Sequence, residues 1–239
     1  MSELIIRNPG VGALLIEAGV RRILVDAFNT LINPIDILPG DIILFTHDDG
    51  DHFSPDKIPF IKGQNITILG PPSIVKPILV QEKVDLNQIE VLYSNSYAEP
   101  SNITFDSIKV TCYHTYHFNH WDPIHNSYLL EIFDKRLYIT GDSLLTKEIA
   151  EIIGEMDAIV CNLVEQGYLK GLEESEVAIH HTLSYLLKVR TEGRAKKVIG
   201  IHLQSFPWSV DEHSMRELVK LNDFRNIIIP ISPDEEITI

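Results

Sequence analysis

The run Asp41–Phe45 is apolar and strand-sized, and it opens directly onto Thr46-His47-Asp48-Asp49-Gly50-Asp51-His52. Isoleucine, leucine and phenylalanine at such spacing belong in a core. Three carboxylates and two imidazoles crowded just beyond them repel one another unless something positive sits among them. Any fold for this chain must therefore bring a buried strand end to a place where close carboxylates are tolerated. A divalent cation is the economical answer. Imidazole together with carboxylate suits Zn, Fe or Mn better than Ca or Mg. His47, Asp49, Asp51 and His52 are the candidate ligands, and Gly50 permits the bend that lets them converge.

The rest of the chain is built from strand-sized runs divided by turn residues. Gly12–Ala18 and Arg21–Ala27 flank Gly19-Val20, which reads as a tight hairpin. Asn65–Leu69 is a further strand, and Gly70-Pro71-Pro72-Ser73 leads into a helix expected to run to about Lys83. Strands are expected at Ile89–Tyr93, Ser107–Tyr113, Ser127–Phe133 and Arg136–Thr140, the last two joined at Asp134-Lys135. Asp157–Val164 reads as buried and extended. Glu174–Arg190 carries Val177, Leu183, Leu186 and Leu187 at helical spacing. Lys197–Leu203 is a strand, Asp211–Leu221 a helix and Asn226–Ile231 a final strand. Two strand-rich portions, each ending in helix-bearing segments, predict an α/β fold of two sheets packed face to face with helices outside. Residues 1–239 are read as one domain.

Charge narrows the partners. The 34 acidic and 20 basic residues leave a formal charge of −14, which disfavours a general polyanion binder. No apolar run approaches the roughly 18 residues of a spanning helix, and Glu3, Arg7 and Glu17 interrupt any leader-like segment. The expectation is a cytoplasmic protein acting on a small molecule, with no membrane partner and with self-association left open. Cys112 and Cys161 lie in apolar stretches and read as buried free thiols.

Further imidazoles and carboxylates stand where strands end, the usual place for sites in layered α/β domains. His117 follows Ser107–Tyr113, Asp142 follows Arg136–Thr140, and His202 lies near the end of Lys197–Leu203. In this order the chain resembles the metallo-β-lactamase fold superfamily. The family's HxHxDH motif stands here as His47-Asp48-Asp49-Gly50-Asp51-His52. Its later lone histidine matches His117, its Gly-Asp-Ser/Thr motif matches Gly141-Asp142-Ser143, and its last ligand matches His202. Asp26 sits where members carry an aspartate after the second hairpin strand. The likeness runs from about Gly12 to His202, and in its spacing and absence of large insertions the chain most resembles the branch of small cytosolic hydrolases that includes ascorbate-phosphate lactonase.

The resemblance implies a four-layer αββα sandwich of two mixed sheets, and two divalent metal ions. His47, Asp49 and His117 would hold one ion, and Asp51, His52 and His202 the other, with Asp142 shared. It further implies a hydroxide held between the ions that attacks an ester or lactone bond of a small molecule, phosphorylated substrates included. Asp51 would orient that nucleophile or pass on its proton, and Asp26 would accept from a ligand imidazole and fix its tautomer. Asp49 departs from the pattern, which has histidine there. Three carboxylates against two divalent ions leave one formal positive charge where the usual motif leaves two. That first site should be a weaker Lewis acid and tolerate Mn or Fe as well as Zn.

Two other readings stay open. His180-His181-Thr182, about 20 residues before His202, is similar to the His-Ser-Thr segment of the ribonuclease Z branch. That similarity would make His181 a catalytic group in a phosphodiesterase or nuclease. Asp49 in place of histidine also fits a metal-binding module with little turnover.

Overall fold

The computed structural model describes residues 3–10, 12–28, 35–117, 124–162, 186–202 and 212–239. Among the described residues, fourteen strands form two seven-stranded sheets. The first holds β1 (Ile5–Arg7), β2 (Leu14–Ala18), β3 (Arg21–Val25), β4 (Ile42–Leu44), β5 (Thr67–Gly70) and β6 (Ile89–Val91), with β14 (Glu236–Thr238) closing it beside β1. The second holds β7 (Ser101–Phe105), β8 (Ile108–Thr115), β9 (His125–Ile132), β10 (Lys135–Ile139), β11 (Met156–Asn162), β12 (Ala195–Ile201) and β13 (Ile228–Pro230). Both are mixed. In the first, β3, β4, β5 and β6 pair in parallel. In the second, β10, β11, β12 and β13 do so.

The central strands are apolar on both faces, and the pleat sorts their residues. Leu14, Ile16, Ile23, Val25 and Leu44 point between the sheets, where they meet Val110, Tyr128, Leu130, Ile139, Val160 and Ile199. Their sequence neighbours Leu15, Leu24, Ile43 and Ile68 face outward. The register places those four side by side, Leu15↔Leu24, Leu24↔Ile43 and Ile43↔Ile68. That outer row is covered by Ile74 and Ile78 of α1 (Pro72–Val80) and by Phe45, Phe53 and Ile58. On the far side, Leu129, Tyr138, Ile159 and Val198 are covered by Ile149 and Ile153 of α2 (Lys147–Ile153), Leu186 and Val189 of α3 (described part 186–192), and Met215 and Val219 of α4 (Glu212–Leu221). Each buried aliphatic side chain contributes roughly 1.5–3 kcal/mol. The result is the expected four-layer αββα arrangement.

Several boundaries differ from the sequence-based expectation. The helix expected to reach Lys83 ends at Val80, and Glu82 takes a left-handed φ of 54° just beyond it. The turn between β9 and β10 falls on Phe133-Asp134, one residue earlier than expected, with Phe133 at φ 53°. Strands β1, β7 and β14 and helix α2 are additions. Helix α2 starts on Thr146, whose hydroxyl accepts the Ile149 N–H, and stops at Gly154. Cys112 and Cys161 are free and buried, and burial pushes both thiols up to about 12. No helix among the described residues is long and apolar enough to cross a membrane.

Candidate metal centre

The C-terminal ends of β3 and β4 set the first half of the site. Asp26 follows β3 and is buried; its backbone N–H donates to Leu44 O at 3.0 Å. Its Oδ1 accepts the Thr46 N–H at 2.8 Å, and its Oδ2 accepts the Thr46 hydroxyl at 2.7 Å. The same Oδ2 lies 3.0 Å from Nδ1 of His52. A carboxylate can only accept, so His52 carries its proton on Nδ1. The single Thr46 hydroxyl proton is committed to Asp26, so Thr46 Oγ1 accepts from Nδ1 of His47 at 2.7 Å. Asp26 therefore fixes both tautomers, one directly and one through Thr46. In each ring Nε2 is left as the lone-pair nitrogen. Both Nε2 atoms are buried and make no hydrogen bond among the described residues.

The second sheet supplies the facing half from the ends of β8, β10 and β12. His117, Asp142 and His202 are all buried, at 1%, 5% and 1% exposure. The two oxygens of Asp142 point to opposite sides. Oδ1 is 3.3 Å from His52 Nε2, and Oδ2 is 3.8 Å from His117 Nε2. Asp49 Oδ2 lies 3.3 Å from His117 Nε2 and 3.7 Å from His47 Nε2. Asp51 Oδ2 lies 3.3 Å from His202 Nε2 and 3.8 Å from His52 Nε2. Two groups result whose ligand atoms lie within 4.8 Å of one another: Asp51, His52, Asp142 and His202, and His47, His117 and Asp142. Asp49 flanks the second group on its open side, with its side chain 44% exposed. Asp48 is exposed and stands outside both groups.

Electrostatics agree with the geometry. The imidazoles of His117 and His47 hold the Asp49 carboxyl well below its usual range. Burial alone would raise Asp142, but the imidazoles of His52, His202 and His47 outweigh it and keep Asp142 ionised. Burial would likewise lower His52, yet the carboxylates of Asp142 and Asp26 hold it well above its ordinary value of 6.5. A site that depresses Asp49 and Asp142 while raising His52 carries the buried negative charge that a divalent cation would offset. The orphaned Nε2 atoms and mixed imidazole–carboxylate donors fit Zn, Fe or Mn.

Three supporting residues were not legible beforehand. His125 is the first residue of β9, wholly buried beneath the site. Its Nε2 accepts the Asp142 backbone N–H at 3.0 Å. Nδ1 therefore carries the proton and donates to Thr115 Oγ1 at 2.7 Å. Thr115 in turn contacts Ser127 Oγ at 2.8 Å, and Ser127 donates to Thr140 O at 2.7 Å. Burial, helped by the His47 imidazole, holds His125 well below 6.5 and keeps it a neutral acceptor. Asn162, at the end of β11, donates to Asp142 Oδ1. Strand-end placement could have flagged Asn162. His125 and Thr46 act through contacts that sequence spacing does not encode. His125→Leu should weaken metal affinity by about 10–100-fold, read by competition with a chromogenic chelator, and His125→Gln should recover part of it.

Two glycines let the backbone close over this cluster. A Cβ on Gly12, at φ 67°, would stand 2.8 Å from His52 Cε1 and 2.9 Å from His202 Cδ2. One on Gly141, at φ 56°, would stand 2.7 Å from His125 Nε2. His114 belongs to neither metal-binding group. His213 is exposed on α4. His181, His180, His120, Phe118, Trp121 and Trp208 lie outside the described residues.

The sequence profile of the beta-lactamase superfamily domain matches residues 21–203, and the chain belongs to that superfamily. No curated protein sequence matches the chain. Among solved structures it is similar to Igni18, a metallo hydrolase from the archaeon Ignicoccus hospitalis, at TM-score 0.68 and 14% identity over 100% of this chain and 99% of that one. It is similar to isothiocyanate hydrolase from Delia radicum gut bacteria at 0.66 and 15%, covering 99% and 98%. It also matches CmlA, a diiron beta-hydroxylase from Streptomyces venezuelae, at 0.62 and 13%, covering 100% of this chain and 54% of that one. Such identities establish a shared fold, one that carries both hydrolysis and hydroxylation in these neighbours, so the chemistry must be argued from the site.

Proposed function

We propose that this chain, residues 1–239 taken as one domain, is a metal-dependent hydrolase that cleaves an ester or lactone bond in a small molecule. The observation that carries the reading is the pair of buried Nε2 atoms on His47 and His52, preset as lone-pair donors and facing carboxylates grouped about Asp142. His47, Asp49 and His117 would hold one divalent ion, and Asp51, His52 and His202 a second, with Asp142 offering one oxygen to each. When bound, such ions supply Lewis acidity and lower the pKa of water. Asp51 orients the attacking water and accepts its proton, because its carboxylate is partly exposed and lies beside the imidazoles of His52 and His202. The proton passes to the leaving alkoxide as the new carbon–oxygen bond forms and the old one breaks. Asp26 and Thr46 hold the rings; His125 and Asn162 hold Asp142.

Metal analysis of protein purified without chelator tests the reading, together with assays of a p-nitrophenyl ester, a simple lactone and bis-p-nitrophenyl phosphate under added Mn(II) or Zn(II). We expect about two ions per chain and ester or lactone turnover. Fewer than one ion per chain would overturn the reading. Turnover of the phosphodiester alone would move the protein to the phosphodiesterases, with His181 the next residue to change. Full metal occupancy without turnover would make it a metal-binding module.

A further inference from the structure

A cavity of about 400 Å³ opens on the His117 side of the cluster and shares His117 and Ser143 with its edge. A lone bridge between His117 and Ser143 draws the segment after Asp142 against the end of β8, which creates one wall from Leu144 and the first turn of α2. Tyr97 and Tyr116 form the opposite wall. Tyr116 is 64% exposed and Tyr97 41%, and the Tyr116 ring meets His114 edge-on at 5.3 Å. Two exposed tyrosines facing Leu144 and Ile149 across a cavity of ligand size form an apolar slot beside the candidate metals.

Its charge is as informative as its shape. No lysine or arginine stands among the described lining residues, and Glu148 is the one carboxylate there. The Glu148 backbone N–H and the Thr146 side chain keep that carboxyl ionised, and burial keeps His114 uncharged. A phosphate or carboxylate placed in this slot would find no lysine or arginine among the described lining residues and would face the Glu148 carboxylate.

We propose that this cavity is the specificity pocket of the site, and that it takes an uncharged aromatic or branched-alkyl arm carried next to the cleaved bond. The assignment rests on the hydrolase reading above and turns the substrate class away from phosphorylated molecules. Aromatic side chains stack on flat arms, and Leu144 and Ile149 complete an apolar wall behind them.

The test uses hydroxamates, which chelate divalent ions whatever bond the protein cleaves. Acetohydroxamate, benzohydroxamate and 4-carboxybenzohydroxamate are titrated calorimetrically into metal-loaded protein. Benzohydroxamate should bind about tenfold tighter than acetohydroxamate, and the carboxylated compound should lose about that factor again. Glu148→Gln should restore part of the loss. Leu144→Lys, at a partly exposed position, should invert the order of the two aromatic compounds, with metal content and melting temperature confirming that the variant is folded. Equal affinities at full metal occupancy, no binding of any of the three, or an order unchanged in Leu144→Lys would overturn the proposal. Arm preference without turnover of any ester or lactone would overturn the hydrolase reading and leave the pocket standing. Turnover without arm preference would do the reverse.

Discussion

Replacing Asp142 with asparagine should strip the protein of most of its bound metal and lower kcat/KM by about a thousandfold, beyond the 10–100-fold typical when a partner of a ligand is lost. The substitution preserves volume, so the effect comes from charge. Asp142 presents one oxygen to His52 and the other to His117, making it the side chain common to both groups among the described residues. It is buried, ionised and held from behind by Asn162 and His125. An amide in its place turns an N–H₂ toward one of the imidazoles and leaves two groups of nitrogens without their shared anion. Asp48→Asn is the matched control. Asp48 sits in the same acidic run but is exposed, and its substitution should leave metal content unchanged. Equal metal content in wild type and Asp142→Asn, by elemental analysis, would remove the assignment.

Chelation should lower the melting temperature by about 8–16 °C near pH 8 and by far less near pH 5. Binding at about a thousand times Kd stabilises the native state by about 4 kcal/mol, and each kcal/mol moves the melting point of a domain this size by about 2–4 °C. The pH dependence follows from two opposed shifts in the metal-free protein. Asp142 is depressed below its ordinary 3.8, so its contribution is present above that value and is lost only as acid reaches the lower native pKa. His52 is raised above 6.5, so its contribution is complete below 6.5 and is lost as the pH climbs through the raised value. Metal-free protein is thus steadiest between those two limits, where the protonated His52 imidazole offsets the Asp142 carboxylate. As the pH climbs through the raised His52 value that proton leaves and the Asp142 and Asp26 carboxylates lose their counter-charge. Equal melting curves at pH 8 with and without metal, removal being verified, would contradict this account.

The primary structure made the layer order and the principal acids and imidazoles legible because both rest on local patterns. Strands such as β4 and β10 are short apolar runs that stop at polar turns, and His47, His117, Asp142 and His202 stand just past such stops. Motif register sets Asp49 apart from Asp48 although both follow the same strand, and the backbone path turns Asp49 toward His117 while Asp48 stays exposed. β7 alternates partly buried and exposed residues as an edge strand does, and β14 is a three-residue strand pairing with β1 from the far end of the chain. Neither leaves a long apolar run to read. The contributions of Thr46 and His125 come from hydrogen bonds whose direction depends on which partner has already spent its proton. That bookkeeping exists only in three dimensions.

Each ligand group draws from both sheets: His47 and Asp49 meet His117, and Asp51 and His52 meet His202, across the seam between the two halves. Ions bound there would act as rivets through two plates that otherwise adhere by apolar packing and a few hydrogen bonds, such as that from Tyr128 to Phe45 O. Neither half of the polypeptide could acquire the site alone, and loading it would damp any sliding of one plate over the other. Slower amide exchange should then extend, in the loaded protein, to strands on both plates well away from the rivets themselves.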